Sequence, residues 1–293
     1  MTAYTEEAVQ FACCGEQLLG VLARPNVSPT CGVLIVVGGP QYRAGSHRQF
    51  VLLARRMAAA GIAAMRFDYR GMGDSTGELR NFENVNEDIA AAIDAMQQAC
   101  PGLQEIVLWG LCDAASAALL YWEERKDPRV AGLCLLNPWV RSEATLARAH
   151  VKHYYGQRML QREFWLKLLR GDVALAGSIK GLMRSVRLWV SHQEEAEAQR
   201  PFQARMASAL RKFPGPVLLI VSGDDYTAKE FIECANSDAP WSGVLDRSNI
   251  RRLDMHEADH TFSTIHCRIE AEQAMLGWLL ECDKRIPASI LAN

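Results

Sequence analysis

The sequence predicts an α/β fold, in which a mostly parallel twisted sheet is covered by helices on both faces. Strand-like apolar runs alternate along the chain with helical stretches, which is the pattern of repeated β–α–β units. The runs at residues 32–37, 62–67, 106–109 and 130–136 are almost continuously apolar. Such runs are typical of parallel strands that are buried on both faces.

The remaining elements are predicted from local periodicity and turn residues. Residues 9–13 and 18–23 form an expected hairpin around Gly15. Apolar positions recur at helical spacing between the strands, and a second block of strands and helices follows Pro214-Gly215-Pro216. The helices are expected at 47–60, 84–100, 114–122 and 265–282. The late strands are expected at 217–221 and 250–253, with one further helix, whose bounds are not assigned, between them.

Residues 138–213 interrupt this pattern and predict a helical cap. They contain amphipathic helical stretches and no convincing strand. Residues 141–212 carry 14 Lys+Arg against 6 Asp+Glu, whereas the whole chain has a net charge of −2. The expected organisation is therefore a core of residues 1–137 and 214–293 with a basic helical cap at 138–213.

Composition excludes several classes of protein. The chain of 293 residues is 49% hydrophobic and 23% charged, without the apolar run of about 18 residues expected of a membrane helix. Its first residues lack the basic and apolar regions of a secretory signal. The nine cysteines are scattered, without CxxC spacing or nearby histidine clusters, so we expect reduced thiols, no metal and a cytoplasmic location.

A short motif lies between the strand at 106–109 and the helix at 114–122. It reads Gly110-Leu111-Cys112-Asp113-Ala114, which places Cys112 on a tight strand-to-helix turn. The motif resembles the G-x-S-x-G nucleophile elbow, with cysteine in place of serine and alanine in place of the last glycine.

Three further segments extend this resemblance to the α/β-hydrolase superfamily. Residues 36–40 resemble its oxyanion turn with Val37 in place of histidine, and 68–75 match its D-x-R-G-x-G-x-S loop, which we interpret as structural. Residues 223–225 and 258–262 fit its late acid and histidine segments. More narrowly, LCDAASAAL, SGDDYTAKEF and ADHTFS resemble hydrolase 1 of the exosortase A-associated systems.

The resemblance implies a catalytic triad. Cys112 is the expected nucleophile, His260 the base, and Asp225 the acid that orients the imidazole, with Asp224 as the alternative acid. Ser116 and His256 are weaker rivals, because Ser116 lies one helical turn beyond the elbow and His256 lies nearer the end of a strand.

An oxyanion hole is expected beside this triad. Its donors are the backbone N–H groups of Asp113 and Gly39, with Gln41 as the alternative because Pro40 has no N–H. Arg43 and Arg48, close to the same turn, could add to an anion-binding rim.

The expected function is hydrolysis of an ester or thioester through a covalent Cys112 thioester, without a cofactor. An acyltransferase or a carrier-linked thioesterase is the alternative within the enzymes, and a non-catalytic relative that binds a ligand or partner is the alternative of another class. The expected substrate is a small acyl compound. The Lys and Arg side chains of the basic cap either form its solvent-facing surface, bind anionic groups of the substrate, or bind an acidic partner such as an acyl carrier protein. No nucleic acid is expected as a partner.

Overall fold

The computed structural model describes residues 4–39, 41–141 and 200–282. The main part of the predicted cap, residues 142–199, lies outside them. Of the described residues, those up to 140 and from 202 onward form one compact unit. Among the described helices, none combines the length and apolar character needed to cross a bilayer.

An eight-stranded sheet in the order β1-β2-β4-β3-β5-β6-β7-β8 forms the centre of this unit. The first two strands are an antiparallel hairpin, and β2 pairs antiparallel with β4. All the other neighbours pair in parallel. The strands are β1 (Tyr4–Cys13), β2 (Glu16–Pro25), β3 (Cys31–Val36), β4 (Ala63–Asp68), β5 (Glu105–Leu111), β6 (Val130–Leu136), β7 (Val217–Asp224) and β8 (Ile250–Asp259).

Six α-helices of the described residues flank the sheet. Helices α1 and α6 pack against each other, and α2 packs against α3. The helices are α1 (Gln49–Ala59), α2 (Asn86–Ala99), α3 (Asp113–Arg125), α4 (Phe202–Lys212), α5 (Tyr226–Ser237) and α6 (Ile265–Cys282). The predicted α/β-hydrolase fold, with its mostly parallel sheet and flanking helices, is confirmed.

Burial explains why apolar and polar residues do not alternate along the central strands. Every residue of β3 and β4 is buried, because helices cover both faces of the sheet there. The hairpin strand β1 is exposed at most of its positions, and β8 at the opposite end of the sheet is exposed at half of its positions. The core therefore lies around β3, β4, β5 and β6, and the nucleophile candidate follows β5.

Helix α4 lies at the end of the predicted cap range and belongs to the same compact unit as the sheet. It packs against α3, where Arg205 approaches Glu123 and Glu124 at 3.6 Å. The Gln203 amide also donates a hydrogen bond to the Val140 carbonyl at 2.9 Å. Helix α4, which follows residues 142–199, is therefore in direct contact with segments that precede them.

A buried ion pair fixes the loop after β4. The Arg70 guanidinium donates to both carboxylate oxygens of Asp88 on α2, with Nη2 at 2.7 Å and Nε at 3.0 Å, and the Arg70 backbone N–H donates to the same group at 2.8 Å. Asp88 is fully buried. Buried charges require this kind of complete pairing, so the arginine of the D-x-R-G-x-G-x-S motif has a structural role, as we interpreted it.

Candidate active site

Cys112 occupies a strained turn between β5 and α3. Its φ of 63° and ψ of −125° lie in a region that residues with a side chain rarely adopt. The Cys112 N–H donates to the Leu136 carbonyl at 2.9 Å, and the Cys112 carbonyl accepts from Ala115 at 3.1 Å. The turn is thus held on both sides, and the Cys112 side chain directly after the strand is half-buried.

The residues around the turn leave it little room. A Cβ on Gly110 would lie 2.5 Å from the Ala114 backbone, so glycine is required there. Ala114 stands where the motif usually has its second glycine, and a Cβ on Gly38 would lie 3.0 Å from its methyl group. The alanine fits because position 38 is glycine.

His260 and Asp225 meet at the ends of two neighbouring strands. His260 follows β8 and Asp225 follows β7, and their Nδ1 and Oδ2 atoms lie 2.8 Å apart. The Asp225 side chain is 6% exposed and that of His260 33%. Asp224 is exposed and has no such contact among those the structure describes. The structure therefore brings Asp225 to the imidazole, and not Asp224.

Asp225 is also the N-cap of α5. Its carboxylate accepts hydrogen bonds from the N–H groups of Thr227 at 3.0 Å and Ala228 at 3.2 Å. Burial on its own raises the pKa of this carboxyl, but the hydrogen bond and charge of His260 together with the two N–H donors outweigh it, and the pKa falls below its ordinary value.

The same contacts act on the imidazole in the opposite direction. The hydrogen bond with Asp225, followed by a hydrogen bond with Cys112, raises the pKa of His260 to about 10 against the opposing effect of burial. His260 thus lies at hydrogen-bond distance from Asp225, and Cys112 also acts on its pKa. An imidazole between a thiol and a carboxylate is the arrangement of a nucleophile, a base and an orienting acid.

The expected oxyanion donors lie beside Cys112, and one of them already has a partner. The Gly39 N–H donates to Oδ2 of the Asp113 side chain at 2.8 Å. Gln41, the alternative donor, is half-buried, and its Oε1 atom is buried without a hydrogen-bond partner in the described part of the chain. Pro40 lies outside the described residues.

The two residues expected at an anion-binding rim, Arg43 and Arg48, have different surroundings. The Arg43 guanidinium forms ion pairs with the buried Asp68 and, at 2.7 Å, with Asp74. Arg48 is exposed at the start of α1. Because both carboxylates hold its guanidinium, Arg43 has an internal structural role, and substrate binding by Arg43 and Arg48 stays a prediction.

A group at the ends of β6, β7 and β8 was not anticipated from the sequence. Asn137 accepts a hydrogen bond from the Ser222 N–H and donates one to the Ser222 Oγ, both at 2.8 Å. The Ser222 hydroxyl in turn donates to the Asp259 carbonyl at 3.0 Å. These bonds tie the three strand ends together next to His260. The signal that could have found them is the presence of Asn and Ser directly at the ends of apolar runs.

The rival residues take other roles. The buried Ser116 hydroxyl donates to the Trp139 carbonyl at 2.7 Å, and His256 is exposed on β8. All nine cysteines are free. Six of them are buried, and burial raises the pKa of the Cys13 and Cys234 thiols to about 12.

The predicted elbow and the fold together define a class of protein. A family model described as serine aminopeptidase, S33, matches residues 29–186, which is more than half of the chain. The chain belongs to this family of α/β-hydrolases. No curated protein matches it.

Solved structures of similar architecture include several esterases. The Pyrococcus furiosus esterase Pf2001 aligns with a TM-score of 0.60 at 15% identity, over 96% of this chain and 93% of that one. Est1E from Butyrivibrio proteoclasticus, bound to ferulic acid, aligns with a TM-score of 0.60 at 16% identity, over 94% of this chain and 99% of that one. An alpha-beta serine hydrolase homologue from Coxiella burnetii aligns with a TM-score of 0.57 at 17% identity, over 93% of this chain and 97% of that one. At these identities the likeness concerns the fold.

Proposed function

We propose that this protein hydrolyses an ester or thioester through a covalent thioester on Cys112. The observation that carries the proposal is the position of one imidazole, His260, which lies 2.8 Å from the Asp225 carboxylate and whose pKa is raised by Cys112 as well. Membership in a hydrolase family and the esterase structures of the same fold support it.

Each group of the site has a step. The proton of the Cys112 thiol passes to His260 before the attack, because the Asp225 carboxylate favours the charged imidazole; the sulfur then attacks the carbonyl carbon of the acyl group, and the resulting oxyanion is held by backbone N–H groups. The bond to the leaving group then breaks, and His260 gives that group its proton. Asp225 keeps the imidazole in the correct orientation and stabilises its charged form.

Deacylation reverses the roles. His260 removes a proton from water, the hydroxide attacks the thioester carbonyl, and the Cys112 sulfur leaves with the proton that His260 returns. A thiol or an amine could take the place of water. Because a thioester transfers its acyl group readily, acyl transfer, including from or to a carrier protein, is the second candidate function. The narrower relation to hydrolase 1 of the exosortase A-associated systems belongs to this proposal and depends on the three motifs given above.

The test follows the acyl group. The protein is mixed with p-nitrophenyl acetate, and nitrophenol release and intact mass are measured. We expect one acetyl group on Cys112, located by peptide mass spectrometry, and turnover that disappears in Cys112→Ala. The exposed Cys14 gives the matched control Cys14→Ala, which should retain both. An S- or N-acetyl product with an added thiol or amine would favour transfer. Equal acetylation of several cysteines, or none, would support the non-catalytic alternative and contradict the proposal.

A further inference from the structure

The carboxylate of Asp113 lies where an oxyanion is expected to bind. Its Oδ2 atom accepts the Gly39 N–H at 2.8 Å. The N–H groups of Ala114 and of Asp113 itself also act on this carboxylate through hydrogen bonds. These donors come from the loop after β3 and from the first turn of α3, and the predicted oxyanion donors, Gly39 and Asp113, are among them.

The backbone leaves room for this carboxylate. A Cβ on Gly38 would lie 2.2 Å from the Asp113 Oδ1 atom, so any other residue at position 38 would displace the side chain. At Gly39 the φ is 58°, a conformation that favours glycine. The two glycines therefore seat one oxygen of Asp113 against position 38 and present an N–H group to the other.

A carboxylate oxygen and the oxyanion of a tetrahedral intermediate would accept hydrogen bonds from the same N–H groups. Both are negatively charged acceptors that favour charge-assisted hydrogen bonds from backbone donors. One position cannot hold both. We propose that the Asp113 carboxylate occupies the oxyanion hole of the free protein and must be displaced by the carbonyl oxygen of the substrate before Cys112 can be acylated. This inference rests on the proposed function, since it concerns the same site.

The surroundings of Asp113 fit an exchangeable occupant. Burial, the largest influence, raises the pKa of its carboxyl, and the opposing hydrogen bonds of the three N–H groups and the charge of His260 do not reverse the shift. The half-buried carboxylate therefore loses part of its hydration, which costs free energy. A substrate oxygen that takes the place of the carboxylate relieves that cost.

The experiment removes the occupant. In Asp113→Ala the hole is vacant, so we expect kcat/KM for p-nitrophenyl acetate to rise by roughly 10- to 100-fold. Asp113→Asn keeps an uncharged oxygen in the same place and should give a smaller increase. The exposed Asp246 provides the control Asp246→Ala, which should leave kcat/KM unchanged.

A small carboxylate provides a readout that does not depend on turnover. Acetate should enter the vacated hole of Asp113→Ala, inhibit it competitively and shift the amide NMR signal of Gly39. Neither effect is expected in the wild type, where Asp113 fills the position. Because a change in stability alone would not create an acetate site next to Gly39, this result separates occupancy from a purely structural role.

Alkylation by iodoacetamide separates the two possible failures. It forms no oxyanion, so its rate at Cys112 should be similar in the wild type and in both variants. If Cys112 is alkylated but neither variant gains activity and acetate leaves the Gly39 signal unchanged, the present inference is overturned. If Cys112 accepts no acyl group in any variant while acetate still shifts Gly39, the proposed function fails and the occupancy of the hole stands. Should Asp113→Ala not fold, the increase in Asp113→Asn decides, and its absence overturns the inference.

Discussion

Replacing Asp225 with asparagine tests how strongly His260 depends on its carboxylate partner. Asparagine keeps a side-chain oxygen that can cap α5, but it removes the negative charge. The pKa of His260 is about 10 in the wild type, against an ordinary value of 6.5. Because an adjacent opposite charge shifts a pKa by about 1 to 3 units, we expect the pKa of His260 to fall by that amount in Asp225→Asn.

The same change should lower the free energy of unfolding in a pH-dependent way. One pKa unit corresponds to about 1.4 kcal/mol, and solvent screens part of the interaction because a third of the His260 side chain is exposed. We therefore expect a loss of about 1–2 kcal/mol. The raised pKa of His260 means that this stabilisation is fully present below 6.5 and disappears as the pH rises through about 10. The lowered pKa of Asp225 means that it is also lost as the pH falls below 3.8.

Two measurements check this prediction. NMR titration of the His260 ring gives its pKa, and urea unfolding at about pH 5.5, 7.5 and 10.5 gives the stability difference between wild type and variant. Asp224→Asn changes the exposed neighbouring carboxylate and should leave both quantities within error. A His260 pKa that does not move in Asp225→Asn, or a stability loss of equal size at all three pH values, would refute the reasoning.

Three other substitutions test the frame around the site. In Gly110→Ala the new methyl group would lie 2.5 Å from backbone atoms of the first turn of α3, so we expect about 1–3 kcal/mol lower unfolding free energy by urea titration and loss of esterase activity. In Asp88→Asn the buried guanidinium of Arg70 loses its charged partner, and thermal or urea unfolding should show a loss of about 3–5 kcal/mol. In Asn137→Ala the Ser222 N–H loses its acceptor, which should cost about 1–3 kcal/mol and lower kcat for p-nitrophenyl acetate more than it raises KM.

Matched controls separate these effects from general sensitivity. Gly277→Ala places a methyl group in open space on α6 and should be neutral or slightly stabilising. Glu281→Gln removes the carboxylate of an exposed pair with Arg251 and should cost less than about 1 kcal/mol. Losses in either control as large as those in Gly110→Ala or Asp88→Asn would contradict the assigned causes. An Asn137→Ala variant with unchanged kcat would show that the strand-end hydrogen bonds do not position His260.

The sequence was sufficient for the fold because its signals are local. Continuously apolar runs reveal strands that are covered on both faces, and glycines at turns reveal where they end. The short strand expected at 250–253 in fact extends to Asp259. The sequence did not indicate this extension, because the second half of the strand lies at the edge of the sheet, is mostly polar and contains no apolar run. The α/β-hydrolase prediction is confirmed, whereas the cap prediction concerns residues that are mostly outside the described structure.

The site could be predicted only in part. The resemblance to the α/β-hydrolase motifs selected Cys112 and His260 and favoured Asp225 over Asp224, but the position of the imidazole in space was needed to decide between the two carboxylates. The role of the Asp113 side chain was not predicted, since the approach of Gly39 to α3 joins segments 74 residues apart. The ion pairs of Arg43 were not predicted either, because Asp68 at the end of β4 and Asp74 in the loop after it are far from Arg43 in the sequence. The catalytic roles themselves stay predictions until acylation of Cys112 is measured.

The order of the strands distributes the three members of the predicted triad unequally over the sheet. The sulfur follows β5, which is paired on both sides, whereas the imidazole follows β8, the last strand of the described sheet. Peripheral strands open locally at lower free energy than central ones. Partial fraying under heat or mild denaturant would therefore detach the base first and leave an intact thiol without its proton acceptor, so that chemical competence is lost well before the molecule unfolds.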